Sequence, residues 1–184
     1  MEHEQLWAPW RLGYIKGEKV EPPKPLREPN WLSGADQSCF ICRSVAEDRD
    51  RENLLVQRGE LAITILNRFP YNNGHLLIAP KRHADRLDEL SATEHSELMA
   101  ALSRMVLRLE ERMNAEGFNI GLNLGRLAGA GLPGHLHWHI VPRWNGDTNF
   151  MPTLAGIKVI PQSLDSLWEL LADDVTSPEA GSPS

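Results

Sequence analysis

Residues 135 to 143 read His-Leu-His-Trp-His-Ile-Val-Pro-Arg, and this run carries more chemistry than any other part of the chain. An extended backbone sends alternate side chains to opposite faces, so His135, His137 and His139 share one side while Leu136, Trp138 and Ile140 share the other. The apolar side belongs in a core. Imidazoles are costly to bury without partners, so the histidine side is expected to line a site rather than to stand as an exposed polar face. The chain has seven histidines. His75 and His83 lie on a segment that reads as a strand and its exit, which makes five of the seven candidates for one location.

Two further features could hold ligands. Cys39 and Cys42 form a Cys-x-x-Cys pair, which points to metal or redox work more than to a structural disulfide in a reducing compartment. The βαβ context of a thioredoxin-like motif is missing. Residues 125 to 134 contain Gly125, Gly129, Gly131 and Gly134, and glycine lets backbone amides approach an anion closely. Asn123 precedes this loop on a strand face with little bulk. A phosphate-binding reading follows for Asn123 and the loop, with a flexible hairpin connection as its alternative.

These groups need elements to place them. Residues 53 to 57 and 61 to 67 flank Arg58-Gly59-Glu60 and read as a hairpin, and residues 74 to 80 read as a third strand closed by proline. From Ser91 the period becomes helical. Ser91-Ala-Thr-Glu94 is a capping box, Leu98, Leu102, Met105, Leu109 and Met113 form a core stripe, and Gly117 is the expected C-cap. Residues 118 to 124 return to period 2, with Phe118, Ile120, Leu122 and Leu124 on one face. An aromatic segment at 6 to 15 and a Pro- and charge-rich arm from about 17 to 36 precede all of this.

Bulk properties narrow the classes. At 184 residues and 41 % hydrophobic, one domain with a real core is expected. A net charge of −6 and a pI near 5.6 argue against a general nucleic-acid or membrane-surface binder. Any anionic ligand must then be held locally. Without an apolar run of signal-peptide or membrane-spanning length, the expected location is the cytoplasm.

The run at 135 to 143 resembles the motif of the histidine triad (HIT) nucleotide hydrolases and transferases. The similarity extends over about residues 39 to 143 and includes Leu66-Asn-Arg68, Tyr71-Asn-Asn-Gly-His75, Ile78-Ala-Pro-Lys-Arg-His83 and Gly121-Leu-Asn123. More loosely, Leu6-Trp-Ala-Pro-Trp-Arg11, Gly146-Asp-Thr-Asn-Phe150 and Lys158-Val-Ile-Pro-Gln162 resemble the branch that includes diadenosine tetraphosphate phosphorylases. The resemblance implies an α+β half-barrel, an antiparallel sheet of about five strands with one long packed helix and a C-terminal helix, usually paired as a homodimer. It divides the chain into an N-terminal arm at 1–36, a HIT domain with its extension at 37–174 and a disordered tail at 175–184.

It also implies a reaction. His137 would attack the α-phosphorus of a purine nucleotide or dinucleoside polyphosphate and form a covalent nucleotidyl-histidine, which water or phosphate then resolves. Neutral imidazole is a good nucleophile and, once phosphorylated, a good leaving group. A backbone carbonyl would orient the His137 ring and His139 would sit beside the scissile phosphate. Asn123 and Gly131 match phosphate-binding positions, and Asn67 and His75 match ribose-side and supporting ones. At Gly131 hydrolases commonly carry glutamine and the phosphorylase-like branch can carry serine, so here only a backbone amide is offered, and Arg126 is an alternative source of charge. Cys39, Cys42, His83 and His135 match the ligands of zinc-bearing members, which implies a structural Zn²⁺ with all four protein positions filled. A non-catalytic nucleotide-binding adaptor and a nucleoside phosphoramidate hydrolase are the alternative functions.

Overall fold

Five strands form one open antiparallel sheet, with residues 28–129, 131–148 and 159–172 described in the computed structural model. The aromatic segment 6–15 and the tail 175–184 lie outside these residues, as do Asn149, Phe150 and Lys158. In chain order the elements are α1 (Phe40–Ala46), β1 (Leu55–Arg58), β2 (Ala62–Leu66), β3 (Leu76–Pro80), α2 (Ala92–Met113), β4 (Gly117–Leu122), β5 (Trp138–Arg143) and α3 (Leu164–Leu171). The spatial order is β1-β2-β3-β5-β4. The expected α+β fold with its long helix and C-terminal helix is therefore present, and α1 adds a short helix that the sequence reading had not marked.

Helix α2 lies against β2, β3 and β5. Leu98, Leu102, Met105 and Leu109 are buried on its inner face, and Met113 packs against the core at its end. The capping box forms: Glu94 N–H donates to Ser91 Oγ and Ser91 N–H donates to Glu94 Oε2. Glu94 also receives Arg82, which lies in the exit from β3, and this pairing holds its carboxyl down at about 2. One turn on, Glu97 accepts the N–H groups of Leu61 and Ala62 at 2.8 to 3.0 Å, fixing the hairpin to the helix. A side chain at Gly59 would collide with that carboxylate.

Three local expectations are corrected. The C-cap of α2 is Asn114 in the left-handed region (φ 51°), not Gly117, which opens β4 opposite Arg143. Asparagine tolerates that conformation, so the helix stops one turn before the glycine. The histidine run is only partly strand, because β5 begins at Trp138 and leaves His135, at a bend, and His137 on the lead-in to it. β4 ends at Leu122, and its apolar face is not wholly covered: Ile120 is 46 % exposed, since β4 is the sheet's edge.

Helix α3 closes the outer end of the layer. Leu167 and Leu171 are buried, and Trp168 Nε1 donates to the Leu55 carbonyl at 2.8 Å. Arg108 and Arg112 of α2 donate to the carbonyls of Leu171 and Leu170, satisfying acceptors that a helix end leaves free. No helix among the described residues is long and apolar enough to cross a membrane.

Candidate active site and metal centre

The lead-in to β5 separates the three histidines of the run into two jobs. His135 is wholly buried, and its Nε2–H donates to the Pro80 carbonyl at 2.9 Å. That bond leaves Nδ1 free as a ligand atom. His135 Nδ1 lies 3.3 Å from Cys39 Sγ, 3.5 Å from Cys42 Sγ and 3.3 Å from His83 Nδ1, while Cys42 Sγ lies 3.3 Å from His83 Nδ1. Neighbouring ligand atoms around a tetrahedral ion with zinc-like bond lengths are separated by about 3.3 to 3.8 Å. The four residues are thus positioned to bind a metal, and all four ligand atoms lie within 4.8 Å of one another.

Their chemistry agrees with that geometry. Burial pushes the Cys39 thiol up to about 11 and holds His135 down near 4, so the imidazole is neutral at ordinary pH. A cation is what would turn two such buried thiols into thiolates. Cys39 is the N-cap of α1 and Cys42 lies in its first turn, so one short helix presents both sulfurs. The other end of α1 is held by Arg58. The sequence placed Arg58 in a turn; it is the last residue of β1, and its guanidinium donates to the carbonyls of Ser44, Val45 and Glu47 and pairs with Asp50.

His137 is 6 % exposed, and its Nδ1–H donates to the backbone carbonyl of His135 at 2.8 Å. Nε2 is left as the nitrogen with a lone pair. The residue whose side chain faces the metal cluster is therefore the residue whose carbonyl orients His137.

His139 lies in a chain of hydrogen bonds whose donors can be assigned in order. The Tyr71 backbone N–H donates to His75 Nδ1 at 3.0 Å, so neutral His75 carries its proton on Nε2. His75 Nε2–H then donates to His139 Nδ1 at 2.9 Å, and neutral His139 carries its own proton on Nε2. Burial holds His139 down near 4, with the neighbouring His137 adding to the effect. Among the described residues, its Nε2 is buried without a partner. Such a donor is costly unless a ligand completes it. The Tyr71 ring lies nearly parallel to His139 at 5.7 Å, while His137 and His139 have ring centroids 5.0 Å apart.

Of the remaining candidates, Asn67 is tied to this pair through His75. Asn67 joins the connection to His75: its N–H donates to the His75 carbonyl, its Oδ1 accepts from Phe69, and its Nδ2 lies 3.3 Å from His75 Nδ1. In the β4–β5 ladder Gly121 faces His139, and the pairing ends at Leu122 opposite Trp138, with Asn123 the next residue after it. A Cβ at Gly121 would meet nothing within 4 Å, so the surface beside His139 is open. Gly131 is exposed in the connection with open space around it, and Gly125 and Gly129 have positive φ, a conformation that glycine adopts without strain. Tyr71 and Asn72 were quoted in the motif without a role, and their contacts become visible only in the fold.

The chain belongs to the HIT domain family, whose match runs over residues 49–146. Among its relatives, the AP-4-A phosphorylase of Mycobacterium tuberculosis is 39 % identical over 171 residues, covering 93 % of this chain and 84 % of that protein. The adenosine 5'-monophosphoramidase of Schizosaccharomyces pombe is 27 % identical over 138 residues, 75 % of this chain and 98 % of that one. A Zn-bound histidine triad family protein from Mycobacterium smegmatis has a similar fold, with a TM-score of 0.54 at 28 % identity over 64 % of this chain and 80 % of that chain.

Proposed function

We propose that this protein cleaves dinucleoside polyphosphates by forming a nucleotidyl adduct on His137, with phosphate as the second acceptor. The observation that carries the reading is the His137 ring, buried beside His139 and locked by a 2.8 Å bond that leaves Nε2 as the attacking atom. In the first step Nε2 forms a bond to the α-phosphorus and the anhydride P–O bond breaks, its electron pair leaving with the departing nucleotide. In the second, a phosphate oxygen bonds to phosphorus and the P–N pair returns to Nε2. His139 Nε2–H, the buried donor without a partner, supplies a hydrogen bond to the charge that develops on phosphate oxygen. Asn123, Gly131 and the loop amides hold the phosphates, and Asn67 and His75 support the ribose side and the ring of His139.

Support for phosphate over water comes from the likeness to the M. tuberculosis AP-4-A phosphorylase, which spans residues well beyond the HIT segment. Product analysis with diadenosine tetraphosphate separates the two. Phosphorolysis yields ATP and ADP and stops when phosphate is removed; hydrolysis yields ATP and AMP and continues. AMP formed at full rate in phosphate-free buffer would exclude the phosphorylase reading. The likeness to the S. pombe relative supports a second reading, adenosine phosphoramidate hydrolysis, tested by the same assay with that substrate.

The metal is proposed to be structural Zn²⁺, supported by the Cys₂His₂ donor set, its spacing and the Zn-bound relative from M. smegmatis. It would tie α1 and the exit of β3 to the lead-in of His137. A Cys₂His₂ metal site needs both thiols unoxidised, which suits a reducing compartment such as the cytoplasm. A homodimer is also proposed, because β4 presents an unpaired strand edge with Ile120 exposed on it. Sedimentation should return twice the 20.7 kDa chain mass, and Ile120→Lys should shift it toward monomer. A monomer at micromolar concentration in the unmutated protein removes the dimer.

A further inference from the structure

We infer that Asp147 is a positioning residue for His75 and, through it, for His139. It acts by holding the connection between β2 and β3. The Asp147 side chain is only 7 % exposed, although it lies beyond β5 on a loop. Its two oxygens receive Arg143 Nε at 2.6 Å and Nη2 at 2.9 Å, a paired geometry that leaves lone pairs for others. Asn72 Nδ2 takes one of them at 2.8 Å, and the Trp144 N–H lies 3.2 Å from the same oxygen. Arg143 is 42 % exposed and could be satisfied by water. A buried carboxylate is therefore more than a counter-ion for it: the segment it reaches is Asn72.

Asn72 acts as a staple. The same Nδ2 donates to the Pro142 carbonyl of β5 at 3.0 Å. On its other side, Asn72 Oδ1 accepts the Asn73 N–H and the Asn72 carbonyl accepts the His75 N–H. The side chain is thus anchored on β5 and Asp147, while the backbone shapes the turn that delivers His75. Gly74 in that turn has φ +71°, and a Cβ there would press on Met113 at 2.9 Å, so the turn also sits tightly against the end of α2. Arg143 Nη1 adds a bond to Asn119 Oδ1 on β4. One carboxylate joins the tail of the histidine run, the edge strand and the turn.

The consequence concerns proton placement. His75 donates to His139 while its Nδ1 accepts from the Tyr71 N–H at 3.0 Å, a closer donor than Asn67 Nδ2 at 3.3 Å, and that N–H belongs to the turn that Asn72 staples. Released from Asp147, the turn no longer holds that N–H against Nδ1. His75 then samples both tautomers, and His139 loses the acceptor role that keeps its proton on Nε2.

This inference rests on the reading that His139 faces the substrate phosphate, and its test reads the histidines directly as well as turnover. Asn72→Ala leaves the Arg143–Asp147 pair intact, and Asp147→Ala removes the anchor; both are examined in the full chain with its metal. The ring nitrogen-15 shifts of His75 and His139 report the tautomers, alongside kcat and KM with diadenosine tetraphosphate. Expected are a mixture of tautomers at His75 in both variants and a kcat lowered about tenfold, with KM within twofold of the parent. Unchanged tautomers in Asn72→Ala overturn the inference even if kcat falls, and that variant decides alone if Asp147→Ala does not fold. A parent protein that turns over no dinucleotide ends the proposed function, while the tautomer result still judges Asp147.

Discussion

Replacing His137 by glycine is expected to lower kcat on diadenosine tetraphosphate by about 10⁴-fold or more, equivalent to about 5.5 kcal/mol of transition-state stabilisation. The size follows from the proposed role: in that mechanism no other side chain forms the bond to phosphorus, so the loss of His137 removes a reaction path rather than trimming one. Binding should survive, because the proposed phosphate-binding loop and the proposed nucleotide contacts Asn67 and Asn123 are left in place. Nucleotide affinity measured by calorimetry is expected to change by only a few-fold. The fold should survive too, since His137 sits on the lead-in to β5, where its ring bonds to the His135 carbonyl rather than to another element. Mass spectrometry of the quenched parent enzyme should find a nucleotidyl adduct on the peptide carrying residue 137, absent from the variant. Steady-state turnover within tenfold of the parent in folded His137→Gly would transfer the nucleophile's role elsewhere.

Removal of the metal is expected to cost both stability and turnover. Structural zinc contributes about 10–16 kcal/mol of apparent folding free energy in small peptides, and a larger core dilutes that figure. If about 4 kcal/mol is lost here, a domain of this size should melt about 8–16 °C lower. Elemental analysis should return one zinc per chain in the parent and much less in Cys42→Ser, whose oxygen is a poor substitute for a thiolate. Turnover should fall at temperatures where the metal-free protein remains folded, because His135 serves both the cluster and His137. Its side chain faces Cys39, Cys42 and His83, and its carbonyl fixes the His137 ring. Full activity in folded, demonstrably metal-free protein would separate the two sites. A melting temperature untouched by chelation, with no metal found beforehand, would remove the centre altogether.

Much of the architecture follows from local rules. The capping box at Ser91 and the stripe from Leu98 to Met113 define α2 because a buried helical face needs apolar residues every three to four positions. The hairpin and third strand follow from alternation and turn residues, and the histidine run with its Pro-Arg tail marks the family. The misplaced boundaries share one cause. Gly117 was expected to stop α2 but pairs with Arg143 instead, leaving Asn114 as the left-handed cap, and the strand begins at Trp138 rather than at His135 because its pairing with Ile78 of β3 starts there; local pattern contains neither pairing.

By itself, the sequence determined which residue types are available: a nucleophile-capable imidazole run, a Cys-x-x-Cys pair and a glycine-rich loop, at spacings that follow from backbone geometry alone. Only the tertiary structure decided which of them meet. Cys39 and His135 are 96 residues apart along the chain, and Asn72 and Asp147 are 75 apart. No periodicity predicts that a carboxylate past the end of β5 will reach a turn before β3, since that contact depends on β3 and β5 lying side by side. The proton positions on His75 and His139 are of the same kind. A tautomer is chosen by the donor that faces each nitrogen, and the backbone N–H of Tyr71 is a group that every residue but proline carries, aimed at His75 only by the fold.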